Sequence, residues 1–322
     1  MISRRMVLLG SVAAGAAAAL RRAGSVLAAA SQTPVNFAVP AGACDCHTHV
    51  IGDPKRFPFW SGRVYTPEPG TAEESRAVHR TLHVDRIVIV HPSFYGTDNS
   101  CTLDGLRQLG PSSRAVAVID DKTSGAQLDE MHRAGVRGIR LNFSTFKQTD
   151  AAIARQRFQT AVQQLGGRKW QIELFTVLSV IEGLQNEIMA APVPVVIDHF
   201  GGAQASQGLD QPGFGAMLKL VRAGKAYVKV SAAYRASSRP DDYSDVAPLA
   251  KALIEANPQR ILWGSDWPHP AGAALPGHSG TDVVPNLQID NGRLLNLVAV
   301  WAPDPALRKT ILVDNPAQLF GF

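Results

Sequence analysis

Two histidines one residue apart, His47 and His49, lie in the stretch CDCHTHV (residues 44–50), and their type and spacing could support chemistry. Residues two apart on a β-strand point to the same face, so the two imidazoles would converge. A third histidine, His199, and an aspartate, Asp266, lie far along the chain in IDHF and GSDW. These side chains could bind Zn²⁺ or Mn²⁺, or they could activate water and polarise a carbonyl. Both possibilities are open at this point.

Other polar side chains occupy comparable positions, at or just after the carboxyl ends of short apolar runs. They are His91, Ser93, Tyr95, Asp120, Arg140, Asn142, Tyr234 and Arg235. The carboxyl ends of barrel strands form one face, and that face carries the active sites of barrel enzymes. Burying so many polar groups is costly unless function or hydrogen bonding compensates. The sequence therefore predicts one site built from several strand ends.

Eight apolar, β-rich runs would position these side chains. They are ACDCHTHV, RIVIV, RAVAVID, VRGIRLN, WQIELF, VPVVIDHF, AYVKVSAAYR and RILWGSDW. Amphipathic helical segments separate them, which is typical of parallel strands buried on both faces. Eight such units over about 270 residues predict an α/β fold of the (β/α)8 TIM-barrel type. A doubly wound open sheet is the alternative, although HTHVIGD stands where that fold usually carries a glycine-rich phosphate loop.

Helix ends and loops also have sequence signals. Ser124 is a candidate N-cap, Gly135 and Gly224 are candidate helix stops, and Asn257 precedes a proline that ends another helical segment. The long stretches at residues 52–70 and 271–287 follow the first and eighth runs. We expect both to lie over the catalytic face as lid or substrate loops.

The first thirty residues predict an export signal. The pair Arg4-Arg5 precedes an apolar run, and LAAAS offers a small-residue cleavage site near Ala30. This pattern resembles a twin-arginine signal. The uncharged run, residues 6–20, is shorter than the roughly 20 residues that a membrane span needs. We therefore expect a signal over residues 1–30 that engages the twin-arginine export machinery, a single domain over residues 31–322, a periplasmic location and no stable membrane anchor.

The charge balance argues against nucleic-acid binding. The whole chain has 32 Lys and Arg against 27 Asp and Glu, with a pI of about 9.2. Residues 1–30 hold four arginines and no acid, so the remainder has 28 basic residues against 27 acidic ones. No stripe rich in Lys and Arg occurs elsewhere.

Several residues have ordinary structural interpretations. The three cysteines, Cys44, Cys46 and Cys101, are too few for a disulfide framework and are expected to be small buried residues. The histidines of the helical segments, His79, His83 and His132, are expected at the surface. If its strand is regular, Asp198 points away from His199 and acts as a structural hydrogen-bond partner.

The motifs DCHTHV, VIDHFG and GSDWPHP together resemble the amidohydrolase superfamily. With HPSFYGTDN, GVRGIRLNF, KVSAAYR, YSDVAPLAKALI and ILVDNPAQLFGF, the chain is similar over residues 41–322 to the family of 2-pyrone-4,6-dicarboxylate lactonase. That family includes hydrolases of 4-sulfomuconolactone and isomerases of sugar-acid lactones. The resemblance implies a barrel enzyme of aromatic-compound catabolism that opens lactones without a metal.

The resemblance also implies roles for matching residues. His47, His49 and His199 would surround the lactone carbonyl oxygen, and Asp266 would activate water. The residues implied to hold the substrate are Arg140, Arg235, Ser93 and Tyr65, and position in the chain adds Tyr95 and Asn142. The family's second strand-four arginine is replaced here by Phe146, with Lys147 next, and Phe175 stands where a relative has a tyrosine. A lactone with one carboxylate or sulfonate therefore fits better than a dicarboxylate.

The main prediction is an exported hydrolase of a small anionic lactone that needs no cofactor. One alternative is a metal-dependent hydrolase or decarboxylase in which His47, His49, His199 and Asp266 bind Zn²⁺ or Mn²⁺. Two features argue against it. The metal-dependent relatives use a lysine or glutamate on the fourth strand or a histidine on the fifth, whereas the fourth run here ends in Arg140-Leu141-Asn142 and WQIELF has no histidine. Arg140 would also repel a cation. The other alternative is a periplasmic binding protein for a carboxylated ring compound. Such a protein would bind its ligand without turnover and would tolerate Asp266→Asn.

Overall fold

The computed structural model describes residues 33–271, 277 and 279–322. The predicted signal, residues 1–30, lies outside these residues. Eight strands form one parallel sheet: β1 (Cys44–Thr48), β3 (Arg86–Val90), β4 (Ser113–Ala117), β5 (Val136–Asn142), β6 (Gln171–Phe175), β7 (Val195–Ile197), β8 (Ala226–Lys229) and β9 (Ile261–Leu262). Each pairs with its neighbour in chain order. All eight runs that the sequence predicted coincide with one of these strands, and only β4 extends beyond its run, by one residue at its start.

Helices follow the strands and cover the outside of the sheet. They are α1 (Ala72–Thr81), α2 (Ser100–Leu109), α3 (Gly125–Ala134), α4 (Ala151–Leu165), α5 (Leu178–Gly183), α6 (Gln185–Ala190), α7 (Phe214–Arg222), α8 (Ala233–Ala236), α9 (Ala247–Ala256), α10 (Asn291–Trp301), α11 (Pro305–Lys309) and α12 (Asn315–Phe320). Short 3₁₀ turns and a π-helical turn at Thr310–Asp314 complete the helical elements. None of the helices in the described part of the chain is long and apolar enough to cross a membrane.

Helices end at the residues that the local sequence predicted. Ser124 caps α3 by accepting a hydrogen bond from the backbone N–H of Gln127, and Gly135 ends that helix in the left-handed conformation, with φ of 112°. A non-glycine residue there would strain the backbone. The predicted stop at Asn257 is also confirmed, because α9 ends one residue earlier.

Backbone hydrogen bonds close the sheet between its first and last strands. The Cys46 N–H donates to the Trp263 carbonyl at 2.9 Å, and the Asp266 N–H donates to the His47 carbonyl at 2.8 Å. A parallel bridge between Thr48 and Trp267 continues this seam. The structure is therefore the predicted (β/α)8 barrel rather than an open sheet.

The barrel interior has an apolar lower layer and a polar upper layer. The lower layer consists of Cys44, Cys46, Val88, Val90, Val116, Val196, Tyr227 and Leu262, with Phe320 of α12 packed against them. Strand alternation then directs Arg140, Glu173 and Lys229 inward above this layer, since the residues beside each of them pack outward in the main core. The three cysteines are buried and free, as predicted.

Strand β1 departs from regular alternation just before the histidines. Asp45 pairs with Ile87 and Thr48 with Ile89, so three steps along β1 match two along β3. Such a bulge re-aims side chains locally. Asp45 contacts His79 of α1 on the outside, with its Oδ2 2.9 Å from Nε2 of His79, whereas His47 lies in the barrel interior.

The two long loops meet above the barrel. Strand β2 (Thr66–Pro67), from the loop after β1, pairs in parallel with strand β10 (Val283–Val284), from the loop after β9. The Thr66 hydroxyl also donates to the Gly280 carbonyl at 2.8 Å. The described parts of both loops thus lie over the face formed by the carboxyl ends of the strands, as expected, while residues 272–276 and 278 lie outside the described residues.

Candidate active site

Asp266 lies just beyond β9, in a left-handed backbone conformation with φ of 67°. Its Oδ2 accepts hydrogen bonds from the Tyr234 hydroxyl at 2.6 Å and from Nε of Arg235 at 2.9 Å. Burial alone would raise the pKa of this carboxyl, but the Arg235 guanidinium and the surrounding histidines together outweigh that effect and hold the pKa well below its usual range. Asp266 is therefore an ionised carboxylate whose other oxygen, Oδ1, is directed elsewhere.

The predicted histidines surround Oδ1 of Asp266. Nε2 of His49 lies 3.4 Å from Oδ1, and Nε2 of His47 and Nε2 of His199 each lie 3.7 Å from it. The rings are close to each other as well, with centroids 5.1 Å apart for His47 and His49 and 4.4 Å apart for His47 and His199. The structure therefore brings together the four residues that the sequence singled out from three distant segments.

Hydrogen bonds at the far side of each ring indicate which nitrogen carries a proton. Nδ1 of His47 lies 3.0 Å from the Lys229 ammonium, which can only donate. Asp198 Oδ1, which can only accept, lies 3.2 Å from the same Nδ1. The nearer contact, from Lys229, favours Nδ1 as the acceptor, with the N–H on Nε2 of His47 facing the site. Nδ1 of His49 lies 2.7 Å from the Val90 carbonyl, which can only accept, so the neutral ring has its lone pair on Nε2. Nδ1 of His199 pairs with the Ser231 hydroxyl at 2.8 Å.

A buried charge network beneath His47 supports this arrangement. Lys229 Nζ is 2.5 Å from Glu173 Oε2 and 3.1 Å from Asp198 Oδ1, and all three side chains are inaccessible to solvent. Asp198 Oδ2 also accepts from Nη2 of Arg140 at 2.9 Å. Two carboxylates thus face two cations, so the charges compensate each other inside the barrel.

The network determines how its members and the histidines titrate. Burial would lower the pKa of Lys229, but Asp198 and Glu173 outweigh it and raise that pKa, so the ammonium stays charged. Burial and the neighbouring Asp198 charge raise the pKa of Glu173 to about 7. Burial lowers the pKa of His199 to about 4, and burial with the Lys229 charge lowers the pKa of His47 well below its usual value. His47 and His199 are therefore neutral at neutral pH.

A cavity of about 250 Å³ opens above Asp266. Its walls are formed by His49, Tyr65, Pro92, Ser93, Arg140, Asn142, Ser144, Thr145, Lys147, Phe175, His199, Arg235, Asp266, Pro270 and Ala271. Three of these side chains are cationic, namely Arg140, Lys147 and Arg235, against the single carboxylate of Asp266. The cavity, which we call the active cavity, therefore favours an anionic ligand.

Most of the predicted substrate-binding residues line the active cavity, but some have other partners. Arg140 and Arg235 each give part of their guanidinium group to a carboxylate of the protein, Asp198 and Asp266 respectively. Burial raises the pKa of Tyr65 to about 12, so this wall residue keeps its hydroxyl proton. Phe175 packs edge-on against the His199 ring, with centroids 5.5 Å apart.

Tyr95 lies away from the active cavity. The 3₁₀ turn Ser93–Tyr95 directs Ser93 toward the cavity, whereas Tyr95 is buried and stacks on Phe59 with centroids 5.5 Å apart. Its hydroxyl accepts a hydrogen bond from the Gly52 N–H at 3.2 Å. Tyr95 thus supports the loop above the barrel instead of facing a ligand.

Two expectations about polar residues were wrong. Asp198 does not point away from the site, because regular alternation from Val196 directs it inward, and it is His199 that leaves the strand, with φ of 48°. His79 is not a surface residue, since it is buried between Asp45 and the Ser75 carbonyl. His91 is a satisfied core histidine bonded to Thr102 and the Gly96 carbonyl.

Sequence reasoning missed Glu173, Lys229 and Lys147. The first two are charged residues inside otherwise apolar strands, at positions that share a face with the strand-end residues two places later. Charge in a buried strand combined with that period of two was an available signal. Lys147 reaches the active cavity from a turn after β5, with φ of 51°, which no periodicity reveals.

Two clusters in the described part of the chain bring three possible metal ligands within 4.8 Å of one another, namely His47, His49 and Asp266, and His47, Asp198 and His199. In both, Lys229 lies 3.0 Å from Nδ1 of His47, which favours an N–H instead of a lone pair on Nε2. In the first cluster Asp266 is paired with Arg235, and in the second Asp198 is paired with Arg140 and Lys229. The residues have suitable donor types, but their protons and cationic partners do not fit a divalent cation.

Curated relatives share most of their length with this chain. A 4-sulfomuconolactone hydrolase of Rhizobium radiobacter is 36% identical over 292 residues, which cover 91% of this chain and 94% of the relative. A 2-pyrone-4,6-dicarboxylate hydrolase of Comamonas testosteroni is 31% identical over 300 residues, with 90% and 94% covered.

Comparison with solved structures and family patterns agrees with the fold. An apo crystal structure from Agrobacterium tumefaciens superposes with a TM-score of 0.75 and 25% identity, covering 89% of this chain and 98% of that one. The pattern of the family described as Amidohydrolase matches residues 44–322. The resemblance inferred from the motifs is confirmed, and the chain belongs to the amidohydrolase family.

Proposed function

We propose that this protein is a carboxylic ester hydrolase that opens a small anionic lactone. The observation that carries the proposal is the convergence of three imidazole Nε2 atoms on Oδ1 of the ionised Asp266, at the base of a cationic cavity. The curated relatives support the substrate class, since those described above are hydrolases of 4-sulfomuconolactone and of 2-pyrone-4,6-dicarboxylate.

The attacking water would lie between two acceptors. Oδ1 of Asp266 and Nε2 of His49 lie 3.4 Å apart. With the His49 proton on Nδ1, each of the two atoms can accept a hydrogen bond from one O–H group of the water. This leaves the lone pairs of the water oxygen free to approach the lactone carbonyl carbon. As the new C–O bond forms, the proton passes to Asp266, the base.

The oxyanion would be stabilised from the other side of the same cluster. Nε2 of His47 carries an N–H because Lys229 donates to Nδ1, so it donates to the carbonyl oxygen as negative charge develops there. Nε2 of His199 lies beside it and supplies the second contact. Both rings are already held by Lys229 and Ser231, so little reorganisation is needed during the reaction.

Collapse of the intermediate restores the carbonyl and breaks the ring C–O bond. The leaving oxygen takes the proton that Asp266 received from water. The product is a ring-opened carboxylic acid, which then releases its own proton to solvent and becomes a carboxylate. One water is consumed, Asp266 returns to its ionised state, and no redox step is involved.

The anionic substituent would be held mainly by Lys147. Among the described residues no carboxylate pairs with Lys147, whereas Arg140 and Arg235 already contact Asp198 and Asp266. The two arginines offer their remaining N–H donors, and the wall residues Tyr65, Ser93 and Asn142 offer polar atoms. One free cation favours a substrate with one carboxylate or sulfonate.

A lactone-hydrolysis screen of the purified mature protein tests the activity. We expect turnover of monoanionic 2-pyrones or muconolactones and a loss of kcat of at least about 10²-fold in Asp266→Asn, with the circular dichroism spectrum unchanged. Ligand binding without turnover, unaffected by that substitution, would instead indicate a binding protein.

We further propose that the hydrolysis needs no metal, on the ground that two cationic groups already contact the same side chains, Lys229 at Nδ1 of His47 and Arg235 at Oδ2 of Asp266, and would repel a divalent cation bound there. Metal analysis and assays before and after chelation test this. Activity that survives chelation with little bound metal is expected. Stoichiometric zinc or manganese whose removal abolishes activity would refute it.

We also propose that the precursor is exported to the periplasm by the twin-arginine machinery. The support is the pair Arg4-Arg5 ahead of an apolar run that ends in a small-residue site near Ala30. Cell fractionation tests the proposal, with the doubly substituted Arg4→Lys, Arg5→Lys precursor as the control. We expect the native chain in the periplasm and the substituted chain in the cytoplasm. Equal distribution of both would contradict export by this route.

A further inference from the structure

A second cavity of about 350 Å³ adjoins the active cavity on the side of β4 and β5. The two share the wall residues Ser93, Arg140 and Asn142, so they lie directly beside each other. We call this second space the side cavity. A cavity of this volume can hold part of a small molecule.

Two aromatic rings lie at the side cavity and are partly exposed to solvent. Trp60 is 44% exposed and Phe146 is 42% exposed, and their rings meet edge to face with centroids 6.3 Å apart. The Trp60 backbone is held by a hydrogen bond from its N–H to the Phe94 carbonyl at 2.9 Å. Its ring also packs against Gly96, where an added Cβ would lie 2.9 Å from Trp60 Cγ. An anchored, exposed aromatic pair beside an active site is typical of a binding surface.

The side cavity differs chemically from the active cavity. Val118, Ile119 and Leu141 contribute apolar surface beside the aromatic pair. Its other charged side chains besides the shared Arg140 are one acid, Asp120, and one base, Arg157. An anionic group therefore gains little there, whereas an apolar group gains from leaving water.

We propose that the side cavity binds an uncharged aryl substituent of the lactone. This inference rests on the proposed function and narrows its substrate class to a lactone with an anionic group for the active cavity and an aryl ring for the side cavity. Trp60 and Phe146 determine the preference for that ring, and neither takes part in the chemistry.

Calorimetric binding of two carboxylates that the enzyme cannot hydrolyse tests the subsite directly. We expect biphenyl-3-carboxylate to bind the wild-type protein at least about tenfold more tightly than benzoate, because its second ring is buried. The ratio should fall toward one in Trp60→Ala and in Phe146→Ala. Val300→Ala removes another exposed apolar side chain, from α10 and outside the cavity, and should keep the ratio.

Three results would overturn the subsite. They are equal affinities of the two carboxylates for the wild-type protein, no measurable binding of the biphenyl compound, and an affinity ratio that both aromatic variants retain. Hydrolysis of a monocarboxylated 2-pyrone with and without a phenyl substituent separates this inference from the proposed function. If neither lactone is hydrolysed but binding depends on Trp60, the subsite stands and the proposed function fails. If both are hydrolysed with equal kcat/KM in all variants, the function stands and the subsite fails.

Discussion

Replacing Arg235 by methionine removes the charge that keeps the base Asp266 ionised. Arg235 Nη2 lies 2.9 Å from Oδ2 of Asp266, and the carboxylate is almost completely buried. At a charge separation of about 4 Å and an effective dielectric of about 20, the attraction is about 4 kcal/mol. Because the arginine side chain is 32% exposed, solvent screening reduces this to roughly 2–3 kcal/mol.

That loss moves the pH dependence of hydrolysis in a defined direction. Burial favours the protonated form of Asp266, and the guanidinium counteracts this effect. Without the guanidinium the pKa of Asp266 therefore rises. A base with a raised pKa is protonated at higher pH, so activity is lost earlier as the pH falls. We expect the acid limb of the kcat/KM profile to move upward by about 2 pH units in Arg235→Met.

The assay is the pH profile of kcat/KM for a monoanionic lactone, with Arg235→Lys as the matched control. The lysine variant keeps the positive charge, so its acid limb should stay near that of the wild type even if substrate binding weakens. An acid limb in Arg235→Met that coincides with the wild type would refute the electrostatic coupling, and with it the assignment of Asp266 as the base.

Three other substitutions test separate contacts. Lys229→Met removes a cation from beside Glu173 and Asp198 and removes the group that favours one tautomer of His47. We expect a loss of about 3–5 kcal/mol in the free energy of urea unfolding and a kcat lower by at least about tenfold. Unchanged stability and kcat would contradict the network. Tyr234→Phe removes a 2.6 Å hydrogen bond to Asp266, so the acid limb should shift upward by less than in Arg235→Met, and no shift in the pH profile would show that this bond is unimportant. His79→Ala removes the partner of the buried Asp45, and denaturant unfolding should show a loss of about 1.5–3 kcal/mol, whereas an unaltered midpoint would exclude this contribution.

The positions of the strands and helices could largely be predicted from the amino-acid sequence. Continuous apolar runs such as RIVIV predict buried parallel strands because both faces of a barrel strand are covered. Ser124 and Gly135 predict the ends of α3 because capping is a local interaction. His47, His49, His199 and Asp266 could be grouped in advance because strand ends of a barrel converge on one face.

The tertiary structure alone decided the directions and partners of these side chains. The bulge in β1 and the left-handed backbone at His199 override simple alternation, and neither has a signal in residue type. Whether Arg140 faces substrate or Asp198 depends on how the barrel brings the end of β7, two strands away, to the level of Arg140. The proton position on His47 depends on Lys229, which is 182 residues away in the chain. Residue types and periodicity thus determine which groups reach the site, while contacts across the barrel determine their charge, tautomer and orientation.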